Sequence, residues 1–396
     1  MRKLKVALFH PHLAFGGSEA AVLWTLQALR GDYDLTLISG GEIDLLRLNQ
    51  YYGTALRVED FSHRRIPLPS WLERSGKFAA LRGRFGQRYV QRVAPEFDVL
   101  IGFYGPIDCG RPCIQRIVDF SFVEEWRLEL HPAFRHWKTW FYGPTLLRRA
   151  YLSLCDRVSP FRADAWKHNV TVANSAWTAG RFKEKYGVAP RVLYSPVVNA
   201  VPPVPYADRE PGFIYLGRVA PEKRTHVAIE ILRQVRERRQ DIHLHILGGF
   251  DGSEYASRVR RQAEQFRDWV FLEGWTYPER KAQLLAGHRF GINTCAHEAF
   301  GIAVAEMVQA GCVVFVAKGG GQTEIADDPK LIYQDVTDGV EKILWVLTQE
   351  EEQAKLREHL RQGCSRFSVQ SFMEGTRSIV ADFVEESVHG GSAANR

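Results

Sequence analysis

Residues 212–235 read GFIYLGRVAPEKRTHVAIEILRQV, a short apolar run followed by a turn and an amphipathic stretch. The run at 212–216 is rich in aromatic and aliphatic residues and predicts a buried strand. Val227, Ile231 and Val235 recur at helical spacing, so the pattern predicts a helix that begins at Thr225, with the threonine hydroxyl as its cap. A strand joined to a helix by a short turn is the repeating unit of parallel α/β sheets.

The same alternation continues on both sides of this stretch. Strand-like runs lie downstream at 242–247, 270–273, 290–294 and 313–316, and upstream at 5–9, 35–39, 98–103, 114–118 and 170–173. Residues 201–206, VPPVPY, contain three prolines between the two series and are the best candidate for a linker. We therefore predict an α/β protein with doubly wound, Rossmann-like domains at residues 1–200 and 207–367. A C-terminal helix at 368–388 is expected to pack back towards the N-terminal domain.

Length and composition agree with two globular domains. A chain of 396 residues exceeds the roughly 250–300 that one hydrophobic core serves, and 45% hydrophobic and 25% charged residues are ordinary for folded proteins. The net charge of +6 is small for this length, and no nucleic-acid-binding motif accompanies it, so we expect no nucleic acid partner. No run approaches the ~18 apolar residues of a membrane span. We expect a cytoplasmic protein with reduced cysteines. Any contact with a membrane is expected to be peripheral and on its cytoplasmic face.

Ligands of open α/β sheets bind beyond the carboxyl ends of the strands, so the turns after the strands are the candidate sites. After the first strand, Gly16 and Gly17 let the backbone approach an anion at the start of a helix, and the alternative is a tight turn without a ligand. After the strand at 212–216, Arg218 and Lys223 can both face a diphosphate, and the alternative is a solvated basic loop.

The third turn, residues 297–306, reads HEAFGIAVAE. Glu298 precedes a predicted helix and Glu306 lies within it, while Phe300 and Gly301 place backbone amides between the two carboxylates. Carboxylates at a strand end suit sugar hydroxyls because each accepts two hydrogen bonds, and a helix N-terminus suits phosphate.

Glu298 and Glu306, with seven residues between them, resemble the E-x7-E motif of retaining glycosyltransferases of family 4, which have the GT-B fold of two Rossmann-like domains facing a central cleft. Other segments resemble the family in the same order and cover roughly residues 5–330. They are residues 16–19 (GGSE), 173–177 (ANSAW), 186–187, 194–196, 217–218, 221–223 (PEK), Gly274 and 319–324 (GGGQTE). Within the family, the chain looks most similar to mannosyltransferases of lipid-linked oligosaccharide assembly.

The resemblance implies transfer of a hexose, with retention of configuration, from GDP-mannose or a UDP-sugar to a hydroxyl of a glycan or lipid-linked acceptor. It implies that Arg218 and Lys223 stabilise the leaving diphosphate and that Glu298 holds hydroxyls of the donor sugar. It also implies that Phe300, Gly301 and Ile302 present backbone amides to the sugar and phosphates. Glu306 would hold the ribose hydroxyls. Gly16 and Gly17 would let the N-terminal domain close over the phosphates. No cofactor and no metal is required on this interpretation, and the nucleotide-sugar is a co-substrate.

One position departs from the family. Members commonly carry a histidine after the strand that corresponds to residues 114–118, near the reacting carbon, and this chain has Asp119 there. We predict that Asp119 takes the positioning role. The alternative is that His10 or His12 occupies the corresponding place.

The acceptor side is expected to involve residues 61–95. This segment contains eight basic residues and one acidic residue, with Trp71, Phe78, Phe85 and Tyr89 interleaved. Such a segment can lie on an anionic membrane or bind a phosphate-bearing acceptor, and a second aromatic stretch lies at 126–149. The alternative for both stretches is an ordinary amphipathic helix with a solvated charged face.

Three other functions compete with transfer. A non-transferase enzyme of the same fold, such as a nucleotide-sugar epimerase or a phosphorylase, would keep the same domains. A non-catalytic sugar-nucleotide binder would not need Arg218, Lys223 and both glutamates. An NAD-dependent oxidoreductase is disfavoured because the chain lacks the GxGxxG fingerprint after its first strand.

Overall fold

The computed structural model describes residues 2–13, 15–74, 78–130, 143, 145–160, 162, 164–198, 201–202, 204–239 and 241–393. The chain forms two compact units. The N-terminal unit contains Met1–Glu129, Phe134–Pro196 and Val369–Arg396, and the C-terminal unit contains Leu130–Ala133 and Val197–Ser368.

The N-terminal unit is built on a parallel sheet. Its strands are β1 Lys5–His12, β2 Asp34–Gly40, β3 Ser62–Arg65, β4 Val99–Gly102, β5 Ile114–Ile117, β6 Val170–Ala173 and β7 Arg191–Val192, in the order β3-β2-β1-β4-β5-β6-β7. Its helices are α1 Gly17–Leu29, α2 Leu45–Tyr52, α3 Ser70–Arg74, α4 Ala79–Val93, α5 Arg127–Leu130, α6 Leu146–Asp156 and α7 Ala176–Tyr186. The centre of the sheet is apolar, since Val6, Ala7 and Leu8 of β1 are fully buried.

The C-terminal unit repeats this architecture. Its strands are β8 Glu210–Leu216, β9 Leu244–Leu247, β10 Val270–Gly274, β11 His288–Asn293, β12 Val313–Ala317 and β13 Ile332–Tyr333, all parallel in the order β10-β9-β8-β11-β12-β13. Its helices are α8 Thr225–Arg236, α9 Glu254–Gln265, α10 Pro278–Gly287, α11 Ile302–Gln309, α12 Thr323–Ala326, α13 Val336–Leu347 and α14 Glu350–Gly363. Strand β12, VVFVA, is buried at every position, as a strand covered by helices on both faces requires.

Both strand orders run outward from a central strand and reverse direction there, at β1/β4 in the first sheet and at β8/β11 in the second. This is the doubly wound topology, and it opens a crevice for ligands beyond the carboxyl ends of the strands at the reversal point. The prediction of an α/β protein with two Rossmann-like, doubly wound domains is confirmed.

The final helix, α15 Val369–Ala393, belongs to the N-terminal unit, although the chain reaches it from the C-terminal one. It packs on α1, where Arg377 Nε donates to the Ala28 carbonyl over 2.8 Å. Further along this helix, Asp382 Oδ2 accepts from Arg191 Nη1 over 2.5 Å. The last helix of the chain therefore packs as part of the N-terminal unit.

One buried charge in the N-terminal sheet offers a stability test. Arg116 on β5 is 3% exposed, and among the described residues it has no carboxylate partner. Its Nη2 donates to Ser195 Oγ over 3.3 Å, and its guanidinium lies 5.2 Å from the centre of the Phe372 ring. Burial lowers the pKa of Arg116 to about 9, so the side chain is still charged at neutral pH.

We expect Arg116→Met to raise the free energy of unfolding by about 1–3 kcal/mol, because an apolar side chain of similar length removes the cost of burying this charge. Urea unfolding followed by circular dichroism measures the change. Arg191→Met is the control, because Arg191 is an exposed, ion-paired residue of the same unit and its loss should cost less than about 1 kcal/mol. A clear loss of stability in Arg116→Met would contradict this reasoning.

Candidate functional site

The turns after β8, β9 and β10 are joined by backbone hydrogen bonds. Gly217 N donates to Leu247 O over 2.9 Å, and Gly248 N donates to Gly274 O over 2.8 Å. A Cβ atom at Gly248 would lie 1.9 Å from the Gly217 carbonyl oxygen, so only glycine fits at this approach. The three turns therefore form one continuous rim at the carboxyl edge of the C-terminal sheet.

The turn that carries Lys223 is held from beneath by buried hydroxyls. The Lys223 carbonyl accepts from Tyr215 Oη over 3.0 Å and from Thr294 Oγ1 over 2.7 Å. Thr225 Oγ1 donates to the Tyr215 hydroxyl over 3.2 Å. The prediction that Thr225 caps α8 is therefore wrong: Arg224, in a left-handed conformation, occupies the cap, and the threonine supports the Lys223 turn instead.

Lys223 and Glu298 form the central ion pair of this edge. Lys223 Nζ lies 2.5 Å from Glu298 Oε2, and their side chains are 23% and 20% exposed. Burial alone lowers the pKa of Lys223, but the adjacent Glu298 carboxylate outweighs the burial and leaves that pKa above its ordinary value. Burial, reinforced by Glu298, raises the pKa of the nearby Cys295 thiol to about 12. The Lys223 ammonium is thus charged, the pair is sheltered and still reachable by a ligand, and Cys295 stays a neutral thiol.

The backbone after Glu298 leads directly into helix α11. Phe300 is buried, and Gly301 takes a φ of +101° as the residue that caps the helix. Ile302 begins α11, so its backbone amide belongs to the unpaired N-terminal end of the helix. The predicted cluster of amides at residues 300–302 therefore follows Glu298 at the positive end of a helix dipole.

A glutamine that the sequence analysis did not single out braces the Glu298 loop. Gln322 is fully buried, and its Nε2 donates to Cys295 O over 2.8 Å and to Ala317 O over 2.7 Å. Beside it, Gly321 N donates to Glu298 O over 2.7 Å. Gln322 lies in the segment at 319–324, but nothing in its residue type or spacing indicates that it bridges the ends of two strands.

Two of the predicted site residues have other partners. Glu306, on α11, pairs through Oε1 with Lys281 Nζ at 2.8 Å, a contact that the sequence did not indicate. Arg218 is 68% exposed and pairs with Glu222 at 3.2 Å. The structure brings Lys223 and Glu298 together, and Arg218 is not part of that pair.

In the N-terminal unit, the turn after β1 is stabilised by a tyrosine. Gly16 N donates to the Tyr52 hydroxyl over 2.6 Å, and this hydroxyl donates to Gly16 O over 2.9 Å. A Cβ atom at Gly16 would lie 2.7 Å from Glu19 Oε2, so glycine leaves room for that buried carboxylate. Gly17 is the first residue of α1.

The three candidates for the family histidine position all lie at the carboxyl edge of the N-terminal sheet. Asp119 follows β5, is half-buried, and accepts from Ser121 N through Oδ1 over 2.9 Å. His10 is buried with Nε2 at 3.1 Å from Ser18 Oγ, and burial lowers the pKa of its imidazole. His12 is exposed.

The basic segment at 61–95 forms β3, α3 and α4 rather than helices alone. Several of its arginines are paired with carboxylates, as in Arg64 with Glu96 at 2.7 Å and Arg84 with Asp156 at 2.6 Å. Trp71 and Phe78 are exposed. Lys77, and most of the aromatic residues of the second stretch (Trp137, Trp140, Phe141 and Tyr142), lie outside the described residues. Among the helices that the structure describes, none has the length and hydropathy needed to cross a bilayer.

Residues 202–363 match the family model of glycosyl transferases group 1. The match falls within the C-terminal unit and includes the Lys223–Glu298 pair and Glu306. This part of the chain is therefore similar to glycosyl transferases group 1.

Two curated relatives are similar at low identity, and both are GDP-Man:Man(3)GlcNAc(2)-PP-Dol alpha-1,2-mannosyltransferases. The protein from Yarrowia lipolytica is 22% identical over 372 residues, which cover 81% of this chain and 58% of the relative. The protein from Candida glabrata is 26% identical over 170 residues, which cover 39% of this chain and 34% of the relative. The chain thus spans only part of the length of either relative.

Solved structures show the same fold. HepE from Anabaena, crystallised with UDP and glucose, aligns with a TM-score of 0.65 at 16% identity over 96% of this chain and 100% of its own. WaaG, a glycosyltransferase involved in lipopolysaccharide biosynthesis, aligns with a TM-score of 0.64 at 16% identity over 94% of this chain and 99% of its own. These likenesses confirm the predicted GT-B fold class.

Proposed function

We propose that the chain is a retaining hexosyltransferase of family 4 that uses GDP-mannose or a UDP-sugar as donor and a hydroxyl of a glycan or lipid-linked molecule as acceptor. The observation that carries the proposal is the Lys223–Glu298 pair. It joins the turn after β8 to the residues that precede α11, at the point where a doubly wound sheet binds its ligand.

The pair fits the chemistry of glycosyl transfer. As the bond from the anomeric carbon to the diphosphate breaks, negative charge grows on the departing oxygen, and a preorganised ammonium stabilises that charge. The Lys223 ammonium has three N–H groups and Glu298 accepts one of them, so Lys223 can also donate to the diphosphate. The carboxylate of Glu298 has lone pairs beyond that bond, and these suit the hydroxyls of the sugar.

The other donor-side residues complete this assignment. The backbone amides at Gly301 and Ile302 lie at the start of α11, where the helix dipole favours phosphate and sugar oxygens. Glu306 would hold the ribose hydroxyls, with Lys281 as the ion-pair partner that positions its carboxylate. Arg218 lies on the same turn as Lys223 and is exposed. Because it pairs with Glu222, its side chain would have to break that ion pair to bind a diphosphate. With two cations assigned to the leaving group, the proposal requires no metal.

The acceptor is assigned to the N-terminal unit, whereas Gly16 and Gly17 are assigned to the donor phosphates and Asp119 to the positioning role near the reacting carbon. The yeast relatives are mannosyltransferases of a dolichol-linked oligosaccharide, and this supports a glycan or lipid-linked acceptor. Residues 61–95 contain eight basic residues and one acidic residue, and Trp71 and Phe78 among them are exposed. These features support peripheral contact of this segment with an anionic membrane.

A thermal-shift screen of the purified protein with GDP, UDP, ADP, CDP and NAD tests the donor site. We expect one nucleoside diphosphate to raise the unfolding temperature, because a ligand that binds only the folded state stabilises it by RT ln(1 + [L]/Kd), or about 2.7 kcal/mol at 100 times Kd. The exposed Trp275, directly after β10, supplies a fluorescence readout of the same binding. A shift with NAD alone would contradict the proposal.

The matching sugar nucleotide then separates transfer from its alternatives. A transferase releases the nucleoside diphosphate and does so faster when an acceptor is present. An epimerase converts the sugar without releasing the nucleotide, and a non-catalytic binder shows the shift with no turnover. Either of the last two results would leave the binding site in place and refute the transferase assignment.

A further inference from the structure

Three histidines cluster in the C-terminal unit, away from the Lys223–Glu298 pair. His243 precedes β9, His245 lies on β9, and His288 is the first residue of β11. One ring nitrogen from each lies within 4.8 Å of one from each of the others, and this is the one such group of histidine, cysteine or acidic residues among the described parts of the chain. The cluster lies at the amino ends of its strands, whereas Glu298 follows a carboxyl end.

The closest contacts within the cluster have the spacing of metal ligands. His243 Nε2 lies 3.0 Å from His288 Nε2 and 3.4 Å from Glu210 Oε2 on β8. Ligand atoms on a tetrahedral zinc ion with bonds of about 2.0–2.1 Å lie about 3.3 Å apart. His245 is stacked on Phe271 with ring centres 4.9 Å apart, and its ring centre lies 5.2 Å from that of His243 and 4.8 Å from that of His288.

Hydrogen bonds outside the cluster set the tautomers of two of the three histidines, His288 and His245. His288 Nδ1 lies 2.7 Å from the Leu284 carbonyl, which can only accept, so the proton is on Nδ1 and Nε2 carries the lone pair. His245 Nδ1 lies 2.7 Å from Glu273 Oε1, and Arg280 Nη2 pairs with the same oxygen at 3.2 Å. A carboxylate or carbonyl behind each imidazole is the usual outer shell of zinc-bound histidine.

The strand between the histidines leaves space for them. Strand β8 lies between β9 and β11, and its Gly212 is so close that a Cβ atom there would lie 2.2 Å from His243 Nε2.

We propose that His243, His245 and His288 bind one Zn²⁺ ion that links the amino ends of β9 and β11. A donor set of three imidazoles favours zinc over magnesium or calcium, which take oxygen ligands. Because the cluster lies at the opposite ends of the strands from Lys223 and Glu298, the ion is structural and takes no part in the proposed transfer. The inference is independent of the proposed function.

Zinc titration of the full, tag-free protein tests the site after removal of metals with a chelator. We expect calorimetry to give one Zn²⁺ per chain, the unfolding temperature to rise by about 5 °C at a zinc concentration of about 100 times Kd, and Mg²⁺ to have no effect. Co²⁺ should give the visible absorption of a tetrahedral ion. The His243→Ala/His245→Ala double variant should lose all three responses, and because both side chains are partly exposed it should still fold.

His226→Ala is the matched control, since His226 is a half-buried histidine of the same unit that bonds to Tyr255 and lies outside the cluster. It should bind zinc like the unmodified protein. Absence of a one-to-one zinc complex in the unmodified protein would overturn the proposal. So would a complex that survives in the double variant, because the ion would then be bound elsewhere.

Discussion

Lys223→Ala lowers the rate of sugar transfer by about 100-fold or more, which is the expected result if this ammonium stabilises the leaving diphosphate. Loss of one preorganised donor to a developing charge typically costs about 2.7–4 kcal/mol of transition-state stabilisation. Lys223 is sheltered and its carbonyl is fixed by two buried hydroxyls, so its ammonium is held in place before the charge develops. The loss should appear mainly in kcat, because the charge develops only as the bond breaks.

The measurement is release of nucleoside diphosphate from the donor identified by the thermal-shift screen, with and without acceptor. Lys330→Ala is the control, because Lys330 is a lysine of the same unit that pairs with Glu352 at 2.7 Å and lies outside the proposed site. Circular dichroism checks that both variants are folded, since removal of Lys223 leaves the Glu298 carboxylate without its cation. A fall in turnover of less than about tenfold would refute the role of Lys223 at the diphosphate.

The parts of the fold that the sequence predicts are those in which burial and secondary structure impose the same pattern. At 212–235, an apolar run and a helical repeat mark β8 and α8 because one is covered on both faces and the other buries a single face. Strand β3 was not predicted, because its sequence, SHRR, has no apolar residues. It lies at the edge of the sheet, where polar and charged side chains protect the exposed edge.

The site divides in the same way. Lys223 and Glu298 could be proposed from the sequence because each follows a strand, and parallel strands bring their ends together. Gln322 and Lys281 could not, because a buried amide brace and a salt bridge between helices depend on distances between segments that are far apart in the chain. The histidine cluster escaped for the same reason, since His288 is 43 residues from His245 and no local motif joins them.

Gly248→Ala is expected to destabilise the C-terminal unit by about 3 kcal/mol. The added Cβ would lie 1.9 Å from the Gly217 carbonyl oxygen and 2.6 Å from its carbonyl carbon. Both are backbone atoms, so a change of side-chain rotamer cannot relieve the collision, and overpacking of this kind costs about 1–3 kcal/mol or more. Urea unfolding with circular dichroism measures the loss.

The neighbouring glycine provides the control for this change. A Cβ at Gly249 would meet its nearest atom, in the Trp275 ring, at 3.7 Å, which is ordinary van der Waals contact. Gly249→Ala should therefore alter stability by less than about 1 kcal/mol. If the two variants unfold at the same urea concentration, that result contradicts a close approach of the turns after β8 and β9.

The same substitution connects the rim to function. The chain that the added methyl group would push aside leads from Gly217 through Arg218 to Lys223 within six residues, so relief of the collision should displace the proposed diphosphate site. We expect Gly248→Ala to bind the nucleoside diphosphate more weakly than Gly249→Ala at temperatures where both remain folded. Equal affinity in the two variants would show that the rim supports the fold alone and that the Lys223 turn keeps its position without it.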